Sequence, residues 1–129
     1  MPMVAGADYA QSWDDRREAR ALLQKNEIKP ALIAARRTLE LVRKSEKTLA
    51  TTKAVLKREA GDPDPRVQEK RTVAERFGFI LEALFAGESG AAHRGELGKR
   101  FEYSRAEAMA LIAGTAGMLA RLAEQRQRA

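Results

Sequence analysis

IKPALIAARRTLELVRKSEKTLATTKAVLKREA, residues 28–60, carries an apolar residue at every seventh place: Ile28, Ala35, Val42, Leu49 and Leu56. Leu32 and Leu39 begin a second line, alternately four and three residues from the first, and the two lines together read as the packing seam of a long helix. The same stretch holds nine Lys or Arg against Glu40, Glu46 and Glu59, so its excess equals the whole formal charge of the chain, +6. With Ile28 and its sevenfold successors facing a core, Lys29, Arg36, Arg43 and Lys57 form a basic stripe beside the seam, flanked by Arg37, Lys44 and Arg58. Halfway along, the second apolar line gives way to Glu46 and Lys53. That half then either projects into solvent or pairs these charges with another subunit.

Working outward, Pro30 disfavours helix in the residue before it and suits the first turn of the next helix, so Asn26 to Lys29 is a break. Upstream, Ser12 followed by Asp15 matches an N-cap for a helix from Trp13 to Lys25, with residues 1–11 as a loose lead-in and 12–129 as one helical domain. The apolar side of that helix is thin (Trp13, Ala19, Leu22, Leu23), so its stability comes from packing on a neighbour. Downstream, Gly61 and the Asp62-Pro63-Asp64-Pro65 run end the long helix. At ~1.5 Å per residue it would be about 45 Å long, more than a compact domain of this size easily covers.

Asp64 reads as the cap of a third helix with Pro65 at its first position, continuing through Val67, Val73, Ala74, Phe77, Ile80, Leu81, Leu84 and Phe85 to Gly87. The short proline turn makes it the antiparallel hairpin partner of the long helix, with Phe77, Leu81 and Leu84 packing towards its first half. Residues 87–95 read as a loop and Glu96 to Phe101 as a short helix. Ser104 with Glu107 forms a capping box for a terminal helix from Arg105 to about Gln125. The expected fold is all-α: an antiparallel helical bundle built on the basic heptad-patterned helix of about 28–60, its hairpin partner and an apolar C-terminal helix.

A chain of 129 residues buries roughly two thirds of its unfolded surface, enough for a core without staples. Cysteine is absent, which excludes disulfides and thiolate metal clusters and permits a reducing compartment. No basic leader with an apolar run opens the sequence, and the uncharged stretch Ala108 to Ala120 falls short of the roughly twenty residues of a membrane span. The expectation is a cytoplasmic protein with no membrane partner. A charged fraction of 33% and a pI near 10.0 favour an anionic partner.

Catalytic chemistry finds little purchase. His93 and Glu96 have the i, i+3 spacing of two metal ligands, but no second such pair accompanies them. Gly95 to Arg100 departs from a phosphate loop at its first glycine position and at its Ser/Thr, and Ser89 has no base and acid arranged around it. A helix-turn-helix pattern spans Leu97 to Leu111, with Ser104, Arg105, Ala106 and Met109 towards a major groove, yet Glu102 stands where glycine is usual.

No enzymatic activity, cofactor or metal is therefore expected. The leading expectation is a self-associating nucleic-acid-binding protein that contacts DNA or RNA phosphates through Lys29, Arg36, Arg37, Arg43, Lys44, Lys47, Lys57 and Arg58. Its homo-oligomer interface is expected on the terminal helix, at Met109, Ile112, Gly114, Gly117, Leu119 and Leu122. The alternative is a helical adaptor, inhibitor or assembly subunit docking on an acidic protein, through the same flank or through Met109, Leu111, Ile112, Met118, Leu119 and Leu122.

Overall fold

The computed structural model describes residues 6–93 and 102–128, with side chains from residue 10 onward. Among these residues the fold is all-helical, with α1 (Gly6–Gln24), α2 (Ile28–Glu46), α3 (Thr48–Ala60), α4 (Val73–Ser89) and α5 (Arg105–Arg128). Helices α1, α2, α4 and α5 form an antiparallel up-down-up-down bundle, and α3 extends the α2 layer along the first half of α4. The expected all-α bundle is thus the observed one.

Segment 28–60 is helical, but it is two helices. Lys47 takes a left-handed conformation (φ 53°, ψ 39°) and its N–H donates to the Arg43 carbonyl, which closes α2. A non-glycine residue pays about 1 kcal/mol or more for this backbone. The Glu82 carboxylate offsets it by accepting from Arg43 Nε (2.8 and 2.9 Å) before the break and from Thr48 Oγ1 (2.8 Å) after it.

The break resets which residues face inward. Ala35 and Val42 keep the sevenfold line buried, whereas Leu49 (38% exposed) and Leu56 (51%) turn outward. Thr48, Thr52, Val55 and Glu59 are buried in α3 instead. Bending solves the length problem, because α3 now lies along α4. The ladder Arg58–Glu75, Thr52–Gly78, Arg43–Glu82, Arg36–Ser89 runs antiparallel down both helices. Phe77 and Leu84 join Leu81 in a core cluster with Leu39, Val42, Met118, Leu119 and Leu122, in the first half of the expected long helix as read from sequence.

Two helix starts differ from expectation. Helix α1 begins at Gly6, within the expected lead-in, and Ser12 is no cap: it is buried in mid-helix against α2. Its Oγ donates to the Thr38 carbonyl (3.4 Å) while Thr38 Oγ1 donates to the Ser12 carbonyl (3.2 Å). Small residues at Ser12, Ala19, Ala31, Ala34 and Ala35 let these two backbones approach closely. Helix α4 starts at Val73 rather than Pro65, because Thr72 and Glu75 form a full capping box. Asp64 does accept a backbone bond, from Arg66 N (2.9 Å), but the turn it opens ends after the 3-10 segment Val67–Lys70. Helix α4 also runs past Gly87 to Ser89, followed by a 3-10 turn at Gly90–Ala92. The expected helix Glu96 to Phe101 lies outside the described residues.

The Ser104/Glu107 box is present, with Glu107 N donating to Ser104 Oγ (3.1 Å) and Ser104 N to Glu107 Oε1 (2.9 Å). Helix α5, with 24 residues, is long and apolar enough by composition to cross a membrane. Its buried residues Ala108, Ile112, Met118, Leu119 and Leu122, however, form core with the other helices. A Cβ at Gly114 would sit 2.7 Å from Leu84 Cδ2, whereas one at Gly117 meets nothing within 4 Å.

Two substitutions test this packing. Lys47→Gly removes the left-handed penalty and should raise the unfolding free energy by about 1 kcal/mol in urea titration; in an unbroken helix the same change lowers it by about that amount. Gly117→Ala should gain up to about 1 kcal/mol, and Gly114→Ala should come out at least about 1 kcal/mol less stable than Gly117→Ala.

Candidate functional site

The eight expected phosphate contacts divide into two kinds. Lys29 lies 3.6 Å from Glu102. Arg36 donates to Ser89 Oγ (3.0 Å), lies 3.6 Å from Glu40 and stacks on Phe85. Arg37 bonds Glu18 (2.7 Å) and lies 3.7 Å from the buried carboxylate of Asp15. Arg43 grips Glu82 and also lies over the Phe85 ring, 4.4 Å from its centroid. Arg58 pairs with Glu75 at 2.8 Å, and with the Thr72 backbone N–H it holds that carboxyl down at about 2. Each of these five has a carboxylate partner in the same chain.

Lys44 and Lys47 at the end of α2, with Lys57 and the additional Lys53 on α3, are exposed, and no carboxylate among the described residues pairs with them. Lys44 and Lys47 line a surface hollow with the outward Leu49 and with Glu40, and Lys53 and Lys57 lie on either side of the outward Leu56 along α3. A basic surface exists, but it is a lysine patch across the bend rather than a ridge along one straight helix.

Across the bend from the patch is a groove of about 190 Å³ between the end of α2, the start of α3, α4 and α5. Val42, Phe77, Leu81, Met118 and Leu122 give it apolar walls. Glu46, Glu75 and Arg121 are its charged lining residues. Glu46 Oε1 is buried without a hydrogen-bond partner, and burial raises the Glu46 carboxyl above its ordinary range against the pull of Arg121. Arg121 lays its guanidinium on the Phe77 ring, 4.6 Å from the centroid. Glu46 was legible as a polar intrusion into the seam; its partner across the groove, 75 positions later in α5, was not.

The terminal-helix residues expected at an oligomer interface are mostly inside the chain's own bundle: Ile112, Leu119 and Leu122 are buried and Gly114 packs on Leu84. Met109 and Gly117 face outward. The helix-turn-helix residues fare similarly. Arg105 closes the end of α1 by donating to the Leu23 carbonyl (2.7 Å) and to Asn26 Oδ1 (3.3 Å), while Ser104 caps its own helix. Leu97 to Phe101, Glu96 and the segment 95–100 lie outside the described residues. Ser89 is occupied structurally, accepting from Arg36 and donating to the Phe85 carbonyl (2.7 Å).

One titrating group escaped the sequence reading. Glu88 is fully buried between α4 and α5, and burial pushes its carboxyl up to about 8 against the opposing effects of Thr115 and Arg36. The Thr115 hydroxyl has one proton and two oxygen neighbours, Glu88 Oε2 at 2.6 Å and the Leu111 carbonyl at 3.0 Å. A neutral Glu88 satisfies both contacts by donating to Thr115 while Thr115 donates to Leu111. The one advance signal was a threonine inside the otherwise apolar run of α5.

Comparison with protein families, with curated proteins and with solved structures finds no match to this chain.

Because the folded value for Glu88, about 8, lies above the unfolded value of about 4.3, the folded chain binds the extra proton between those limits. The stabilisation is complete below about pH 4.3 and is lost as pH rises through 8, at up to about 1.4 kcal/mol per unit. Denaturant titrations from pH 5 to 8.5 should show this decline, and Glu88→Gln should flatten it; an unchanged slope in the variant would show that Glu88 is not the group responsible.

Proposed function

We propose that the protein binds nucleic acid by its phosphates through Lys44, Lys47, Lys53 and Lys57. The observation that carries this reading is the division of the basic charge. The arginines of the expected ridge are held by carboxylates of the same chain, while the four lysines across the bend are exposed and unmatched among the described residues. An ammonium on a flexible stem neutralises a phosphate without dictating orientation, so such a surface positions a polymer and reads little sequence. The apolarity of α5 is accounted for inside one chain, so it no longer argues for a second copy.

The outward Leu49 and Leu56 among the lysines favour a second reading, an acidic protein surface with an apolar centre. In that case duplex DNA and single-stranded RNA bind weakly or not at all.

Four phosphate contacts on duplex DNA should cost about a hundredfold in affinity between 50 and 200 mM salt, whereas eight would cost about ten-thousandfold. Fluorescence anisotropy at the two salt concentrations is expected to give the smaller slope. Replacing the four lysines by glutamine should abolish most of it while the fold persists. No binding at 50 mM salt, or a slope indifferent to the four substitutions, would rule out the reading.

A further inference from the structure

What stands among the lysines at the bend narrows the kind of polymer they suit. No aromatic residue occurs between Trp13 and Phe77, so neither α2 nor α3 carries a ring. The rings described elsewhere are already covered by cations of the same chain. Arg16 lies 5.2 Å from the Trp13 centroid, Arg121 4.6 Å from that of Phe77 and Arg71 3.8 Å from that of Phe79. Phe85 carries both Arg36 and Arg43, and the Tyr103 hydroxyl donates to the Gly87 carbonyl. Tyr9 and Phe101 lie outside the described side chains. Leu49 and Leu56, the large apolar side chains that do face outward beside the lysines, are aliphatic and give a base no π face.

The two forms of nucleic acid ask different things of such a surface. A single strand leaves its bases free, and proteins that hold one gain about five- to a hundredfold in affinity for each base stacked on a ring. A duplex keeps its bases stacked on one another and presents charge, one phosphate per about 1.7 Å of axis. Each contact contributes a salt slope of about 0.9 on a duplex and about 0.7 on a single strand. For four contacts, referred to 1 M salt, that difference favours the duplex by about tenfold at 50 mM and about fourfold at 200 mM. At the higher salt even the weakest single stack would outweigh it. The bend has the charge and lacks the ring.

We infer that the patch of Lys44, Lys47, Lys53 and Lys57 takes double-stranded nucleic acid in preference to a single strand. The ammonium groups meet phosphates while the bases stay stacked inside the duplex. This rests on the phosphate-binding reading above and adds to it the form of the polymer.

The test is fluorescence anisotropy of the full chain with a labelled mixed-sequence DNA duplex and with its own component strand, at the same length and at 50 and 200 mM salt. The duplex is expected to bind about tenfold tighter at 50 mM and about fourfold tighter at 200 mM. Leu56→Trp, which sets a ring between Lys53 and Lys57 at a position 51% exposed, should raise single-strand affinity about fivefold or more and duplex affinity less. A single strand bound as tightly as the duplex at both salts, or a preference that Leu56→Trp leaves unmoved, would overturn the inference while leaving phosphate binding intact. Binding of neither polymer at 50 mM would overturn the phosphate reading and this inference with it.

Discussion

The carboxylate of Glu82 holds the two sides of the bend together, accepting from Arg43 on α2 and Thr48 on α3. Both ionised partners are largely shielded from solvent, with 27% of the Arg43 side chain and 17% of Glu82 exposed. Hydrogen bonds to charged groups contribute about 1.5–3 kcal/mol each, enough to outweigh the left-handed backbone at Lys47. From this clasp the rest follows. The bend brings α3 onto α4, which allows Arg58 to reach Glu75 and Glu59 to receive the fork of Arg71. It turns Leu49, Leu56 and the lysines outward, and it opens the groove on its inner side.

Arginine and lysine play different parts in this chain. Arg36 and Arg43 stack on Phe85, Arg71 on Phe79 and Arg121 on Phe77, and most of these also grip a carboxylate or hydroxyl oxygen. The few aromatic rings act as platforms for guanidinium groups, which combine flat apolar faces with in-plane donors. Lysine heads are more strongly hydrated and stay in water. A net charge of +6 therefore overstates the surface open to a polyanion if its residues are counted without regard to type. The structural positive charge is mostly arginine, and the available charge at the bend is lysine.

Much of the architecture was readable because it depends on local pattern. Helical periodicity, a helix break shortly before Pro30, the Ser104/Glu107 cap and the inward line of Phe77, Leu81 and Leu84 all follow from residues within a few turns of one another, although the break falls at the left-handed Asn26 and both Lys29 and Pro30 lie inside α2. The bend did not, since no glycine or proline marks Lys47 and its clasp comes from Glu82, far along the sequence. The same limit hid Ser12 inside a helix, where its partner is Thr38, and the buried Glu88, where it is Thr115. Candidate site residues were found by charge, which locates the lysines but cannot say which arginines have carboxylates waiting in the folded chain.

Backbone chemical shifts of the isotopically labelled protein test the bend at its origin. A left-handed signature at Lys47 alone, between right-handed helical shifts from Ile28 to Glu46 and from Thr48 to Ala60, is expected, and it should weaken in Glu82→Gln. Uninterrupted right-handed helical shifts from Ile28 through Ala60 would contradict the bend, and with it the placement of the lysine patch and the groove.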